Sequence, residues 1–203
     1  LHPMNRNIVC VSSIGTFTVT VTCVPGKPTG VTAVAGNGEA TVSFTAPADN
    51  GGAAISSYTV TSSPGGKTAS GTGTSMTVTG LTNDQSYTFT VVATNAVGDS
   101  LPSDASNAVT PVAKYQVSYN GNSNDGGSVP SDGNEYIAGA SATVLGNTGT
   151  LTKTGHSFTG WSVNADGSGT VYTSGSAYTI GTQDVTLYAK WIGCGYTVTY
   201  NAG

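Results

Sequence analysis

Side chains able to do chemistry are few in this chain of 203 residues. The two histidines are His2, in an irregular terminus, and His156, within Gly155-His-Ser-Phe158. A Ser, Thr or Cys nucleophile needs a base beside it, and neither histidine is placed to serve one. His156 reads as a solvent-facing strand residue. Glycoside cleavage needs two carboxylates across a cleft. Here Asp49, Asp84, Asp99, Asp104, Asp125, Asp132, Asp166 and Asp184 fall mostly in turn sequences, where Asp is favoured because it bonds nearby backbone. Cys10, Cys23 and Cys194 lack zinc-ligand spacing, and an odd count leaves at least one thiol outside any internal disulfide. If Ser13-Ile14-Gly15 turns a hairpin, Cys10 faces Phe17 or Thr18, which argues against a Cys10–Cys23 bridge. Asn120–Asp125 offers alternating oxygen donors but has neither the Gly nor the Glu of a calcium loop; its twelfth position is Ser131. Asn164–Ser168 is similarly incomplete. Gly167-Ser-Gly169 lacks the Lys-Ser/Thr of a phosphate loop. No catalytic, cofactor or metal site is expected, and the chain reads as a non-enzyme.

Two kinds of binding feature remain. Tyr136, Tyr172 and Tyr178 lie in loop-like stretches and are the candidates for a glycan or partner contact through aromatic stacking. Phe17, Val19 and Val21 alternate along Thr16–Cys23, as Tyr196, Val198 and Tyr200 do near the other end. These are candidate edges for strand addition, because unpaired strands invite pairing.

Composition says which elements carry these residues. The chain holds 33 Thr, 23 Ser, 29 Gly and 22 Val but only six Leu. β-Branched residues are stiff at χ1 and suit strands, so a helical bundle or coiled coil is excluded. Only 8% of residues are charged and the net charge is −4. Arg6, Lys27, Lys67, Lys114, Lys153 and Lys190 lie far apart in sequence, not clustered as nucleic-acid binding requires. No apolar run nears the roughly 20 residues of a membrane span, and Leu1–Cys10 has no apolar centre of a signal peptide. The hydroxyl-rich, charge-poor composition fits work outside the cell.

Residues 1–24 form a strand segment that is orphaned, or at most one hairpin, and Val24-Pro-Gly-Lys-Pro28 reads as a linker. From there to Pro111, alternating runs recur between turns: Ala40-Thr-Val-Ser-Phe44, Ser57-Tyr-Thr-Val60, Met76-Thr-Val78 and Ser86-Tyr-Thr-Phe-Thr-Val-Val-Ala93. That rhythm predicts a β-sandwich. The words Pro28-Thr-Gly-Val31, Ala40–Pro47, Ile55-Ser-Ser-Tyr58-Thr-Val60, Gly80-Leu81 through Tyr87-Thr-Phe89 and Ala93-Thr-Asn95-Ala-Val-Gly98 resemble a bacterial fibronectin type III domain. The resemblance places a tyrosine corner at Leu81 and Tyr87, with Phe44 where the family often has Trp. The Val97-Gly98-Asp99-Ser100 loop has no Arg, so integrin binding is not carried over.

Residues 112–193 contain Gly155-x-x-Phe158-x-Gly160-Trp161 and Leu187-Tyr188-Ala189-Lys190-Trp191. These words resemble the InlB-type B repeat, or Listeria–Bacteroides repeat. The resemblance implies a small β-grasp-like domain with at most a short helix, and both Trp161 and Trp191 in its core. Tyr115-x-Val-Ser-Tyr-Asn120 recurs as Tyr196-x-Val-Thr-Tyr-Asn201, so residues 194–203 read as the start of a further repeat or a terminal strand. The expected fold is mainly β: a fibronectin type III sandwich over 25–111 and a repeat domain over 112–193. The short Val112-Ala-Lys114 junction implies limited freedom between them. The expected role is a stalk or adhesion module of a bacterial surface or secreted protein. The alternatives are a self-assembling extracellular fibre subunit and an accessory glycan-binding module of a polysaccharide-degrading enzyme. Expected partners are other domains of a longer chain or copies of itself, and a cell-surface protein or polysaccharide, with no nucleic acid and no membrane insertion.

Overall fold

The structure is a computed structural model that describes residues 7–13 and 16–195. The chain divides into two compact units, Leu1–Ala113 and Lys114–Gly203.

The first unit opens with a hairpin. β1 (Asn7–Ser13) pairs antiparallel with β2 (Thr16–Thr22). The strand expected to be orphaned therefore has a partner in its own chain. Cys10 lies opposite Val19, one or two residues beyond the expected neighbours, and Cys23 is a free thiol. The stretch expected to be a linker is tied down instead. Cys23 N–H donates to the Gly51 carbonyl and Gly26 N–H to that of Asp49, and Pro28 is fully buried. Gly51 sits at φ +71, and any Cβ there would strike the Cys23 carbonyl; only glycine suits such a site.

Two three-stranded sheets follow. β3 (Thr29–Ala35), β4 (Glu39–Thr45) and β7 (Ser75–Thr79) form one, in the order β3-β4-β7. β6 (Thr68–Gly71), β5 (Ile55–Ser63) and β8 (Thr88–Asn95) form the other, in the order β6-β5-β8. Burial alternates along β4, β7 and β8, as a pleated strand with one face inward must. Val42, Phe44 and Val78 of one sheet share a core with Tyr58, Val60, Phe89 and Val91 of the other. Phe44 meets Tyr58 edge to face at 5.0 Å. The tyrosine corner is formed: the buried Tyr87 hydroxyl accepts the Thr82 N–H at 3.0 Å and donates to Gln85 Oε1 at 3.1 Å.

The last segment of this unit runs beside β8 without becoming a regular strand. Ser100, Ser103 and Ser106 donate their N–H groups to the carbonyls of Ala93, Val91 and Phe89. Their hydroxyl oxygens accept the N–H groups of the same three residues at 2.9–3.1 Å. Serines three apart thus serve strand residues two apart, each hydroxyl replacing a backbone acceptor. Asn107 then clasps both backbone groups of Ala33 on β3, and Val112 N–H reaches the Gly36 carbonyl. The segment therefore advances in the same direction as β3.

The second unit has a four-stranded sheet in the order β12-β11-β14-β9, from β9 (Val117–Asn120), β11 (His156–Ser162), β12 (Val171–Tyr172) and β14 (Val185–Gly193). β10 (Ser141–Thr143) and β13 (Ala177–Thr179) form a separate pair. β9 and β14 are parallel; the other pairs are antiparallel. No helix occurs among the described residues, and none is long and apolar enough to cross a membrane. Trp161 is wholly buried at the centre of the core, edge to face with Tyr119 at 4.7 Å and Phe158 at 5.1 Å. Its Nε1 donates to the Leu145 carbonyl at 2.9 Å, while the Leu145 N–H donates to the Tyr119 hydroxyl at 2.8 Å. Both backbone groups of one residue are thereby fixed by aromatic side chains.

Candidate functional site

Of the three tyrosines singled out for stacking, two are in contact with each other. Tyr172 and Tyr178 meet edge to face at 5.3 Å, and both pack against the core of the second unit. Tyr136 packs there too, with its hydroxyl donating to Asp132 Oδ2 at 2.8 Å. Its backbone bonds Tyr115 in both directions. Burial pushes the pKa of Tyr136 and Tyr178 above the ordinary tyrosine value. Of the candidate edges, Phe17, Val19 and Val21 lie on β2, one side of which is taken by β1. Tyr196, Val198 and Tyr200 lie outside the described residues.

The oxygen-rich stretches serve their own turns. Asn120 Oδ1 accepts the Asn122 N–H at 2.8 Å and Asp166 Oδ1 accepts the Ser168 N–H at 2.8 Å. Hydrogen bonds from Ser168 hold the Asp166 carboxyl below the usual carboxylate range. Asp125 is lowered likewise by bonds from Thr154, with attraction from Lys153 and His156 adding to them.

Those turns, the start of β11 and the end of β14 enclose an open polar concavity of about 270 Å³ lined by Asn122, Lys153, His156, Ala165, Asp166, Gly167, Lys190 and Trp191. Asn122, at φ +51, is its anchor: Nδ2 donates to the carbonyls of Ala165 and Ala189 at 2.8 and 2.9 Å. The Asn122 carbonyl in turn accepts one proton of the Lys153 ammonium at 3.3 Å. The Lys190 stem passes over Gly167. His156, exposed as expected, has Nδ1 at 2.8 Å from the Thr154 carbonyl. Trp191 is half-buried and packs against the core of the second unit. Its Nε1 donates to the Gly121 carbonyl at 3.0 Å, and its ring meets Phe158 edge to face at 5.8 Å. The ion pairs found among the described residues are Lys27–Asp104 and Lys114–Glu135. Lys153 and Lys190 belong to neither and converge here.

Sequence reasoning missed this convergence because it is long-range. On a regular strand neighbours such as Lys190 and Trp191 point to opposite faces, so their shared place in one lining is not readable from the sequence. Thr159, an extra residue between the Phe158–Trp191 and Gly160–Lys190 pairs, makes a bulge there. Such a bulge raises local twist and re-aims side chains.

Two families account for most of the chain. Residues 26–109 match the fibronectin type III domain, and residues 115–190 match the Listeria-Bacteroides repeat domain. Over these residues the chain carries a fibronectin type III domain followed by a Listeria-Bacteroides repeat domain. Two proteins of Evansella cellulosilytica, carrying the provisional names Gly-rich membrane protein and membrane protein, are similar to it. They are 38% identical over 91 residues and 36% identical over 80 residues, covering 45% and 39% of this chain. The matches span only 10% and 12% of those proteins. Among solved structures, a titin module from human cardiac muscle is 31% identical over 42% of this chain and 90% of its own, with a TM-score of 0.37. The titin kinase region with its flanking domains is 24% identical over 48% of this chain and 22% of its own, with a TM-score of 0.40.

Proposed function

We propose that this chain is a non-catalytic, force-carrying stalk and adhesion segment of a modular extracellular bacterial protein. The observation that carries the reading is the parallel pairing of β9 with β14, the first and last strands of the repeat domain. Tension applied through the ends of that domain pulls the two strands past each other. All the hydrogen bonds between them then share the load, where an antiparallel terminal pair would open one bond at a time. The pair is reinforced outside the ladder: Gln116 N–H donates to Asp184 Oδ1 at 2.8 Å, and the Ser118 and Thr186 hydroxyls lie 2.9 Å apart. In the first unit, β3 and the Asn107 segment advance in the same direction and are clasped side by side. Relatives named as membrane proteins and the surface-protein character of the repeat family support an extracellular setting.

Stretching the chain by its two ends in a force spectrometer tests the reading. Two discrete unfolding steps, one per unit, are expected. Extension without a resisting step contradicts it. Assembly into fibres by strand addition is the weaker reading, since β2 takes a partner from its own chain.

A further inference from the structure

We propose that the concavity of Lys153, His156, Lys190 and Trp191 binds a carboxylate-bearing sugar unit of an acidic polysaccharide. This rests on the adhesion part of the reading above and supplies the chemistry of its partner.

The chain has six cationic residues against ten acids, scattered along the sequence. The fold brings Lys153 and Lys190 into the lining of one concavity while leaving both outside the ion pairs among the described residues. Positive side chains that line a concave surface attract an anion, because the surface concentrates their field. Lys153 uses one of its three protons on the Asn122 carbonyl, so two remain for a ligand. The exposed His156 imidazole adds a third polar group, with its Nδ1 at the Thr154 carbonyl. Asp166 and Asp125 each accept a backbone N–H, from Ser168 and Thr154 respectively.

The remaining features select a sugar over a bare anion. Trp191, its indole fixed through Gly121 and Phe158, lines the concavity among donors and acceptors that match the hydroxyl groups of a sugar. Asp166 also lines the concavity, and a carboxylate accepts protons from the several hydroxyl groups that a saccharide presents. The size also fits. About 270 Å³ lies just below the roughly 300–1,000 Å³ of drug-sized ligand sites, which suits one ring of an extended chain. The Asn122 clamp across Ala165 and Ala189 holds the walls in place before any ligand arrives, and preorganisation of that kind lowers the cost of binding.

Trp191 and Trp161 are the two tryptophans, and Trp161 is wholly buried, so tryptophan emission reports on this concavity. The experiment titrates the whole chain with polygalacturonate, with neutral dextran and with inorganic phosphate, at about 20 and about 150 mM salt, a range over which purely surface electrostatic attraction is strongly screened. A saturable emission change with polygalacturonate that survives the higher salt and is absent with dextran is expected. In the double variant Lys153→Ala/Lys190→Ala, apparent affinity falls at least tenfold while the thermal midpoint stays within a few degrees. No response to polygalacturonate, an equal response in the double variant, or an equal response to inorganic phosphate each overturns the proposal. None of these outcomes bears on how the chain carries force, so the stalk reading stands or falls separately.

Discussion

Val117 on β9 lies opposite Val185 on β14, and the two strands run parallel. The relationship links chain order to mechanics. β9 opens the repeat domain and β14 ends the repeat match, yet they are direct neighbours. Both residues are hydrophobic and both pack at the core, so the join between entry and exit strands is also anchored by burial.

The core of the repeat depends on Trp161. Trp161→Ala removes a wholly buried indole from its packing against Tyr119 and Phe158. A loss of about 3–5 kcal/mol is expected. Trp161→Phe keeps most of the packing but leaves the Leu145 carbonyl without its partner, for a loss of about 1–3 kcal/mol. Urea unfolding followed by circular dichroism checks both values and their order.

Tyr87→Phe probes the sandwich in the same way. The hydroxyl it deletes accepts from Thr82 N–H and donates to Gln85. Stability of the first unit should fall by about 1–2 kcal/mol, with the repeat domain's transition unchanged. A single-step loss affecting both transitions equally would contradict the division into two units.

Stability should decline in alkali. Burial pushes Tyr119 above the ordinary tyrosine range, the nearby Asp132 charge adds to the rise, and the Leu145 bond opposes it. The folded chain then keeps this proton to higher pH than the unfolded chain does. Stability is full below the unfolded value near 10 and falls as pH rises through it, because the unfolded state loses protons first. Tyr136 and Tyr178 shift in the same direction. Urea midpoints followed from about pH 8 to about pH 11, a window spanning the unfolded tyrosine value, should fall, and less steeply in Tyr119→Phe.

The sandwich was largely legible in the sequence. Val42, Phe44, Tyr58, Val60, Phe89 and Val91 alternate with period two, and all are buried. Leu81 and Tyr87 mark the corner by family resemblance. The serine segment was not legible, because Ser100, Ser103 and Ser106 recur with period three and bond through side-chain oxygens. Tyr136, Tyr172 and Tyr178 read as loop residues because turns surround them, yet their rings pack against the core. The Lys153–Lys190 convergence depends on strand pairing between distant parts of the sequence, which no local pattern encodes.

If the repeat domain carries load because its terminal strands are sheared, its resistance must depend on the direction of pulling. Two pulling geometries test this with one domain of fixed stability. Cys194 is an exposed native handle; Cys10→Ser and Cys23→Ser remove the others. A second handle at Lys114→Cys loads β9 against β14 in shear. A second handle at His156→Cys, which faces Gly193 across the antiparallel β11–β14 pair, unzips that pair from its end. Unfolding force should be several-fold higher in the first geometry than in the second at the same pulling speed. Equal forces, or a lower force in the first geometry, would contradict the account.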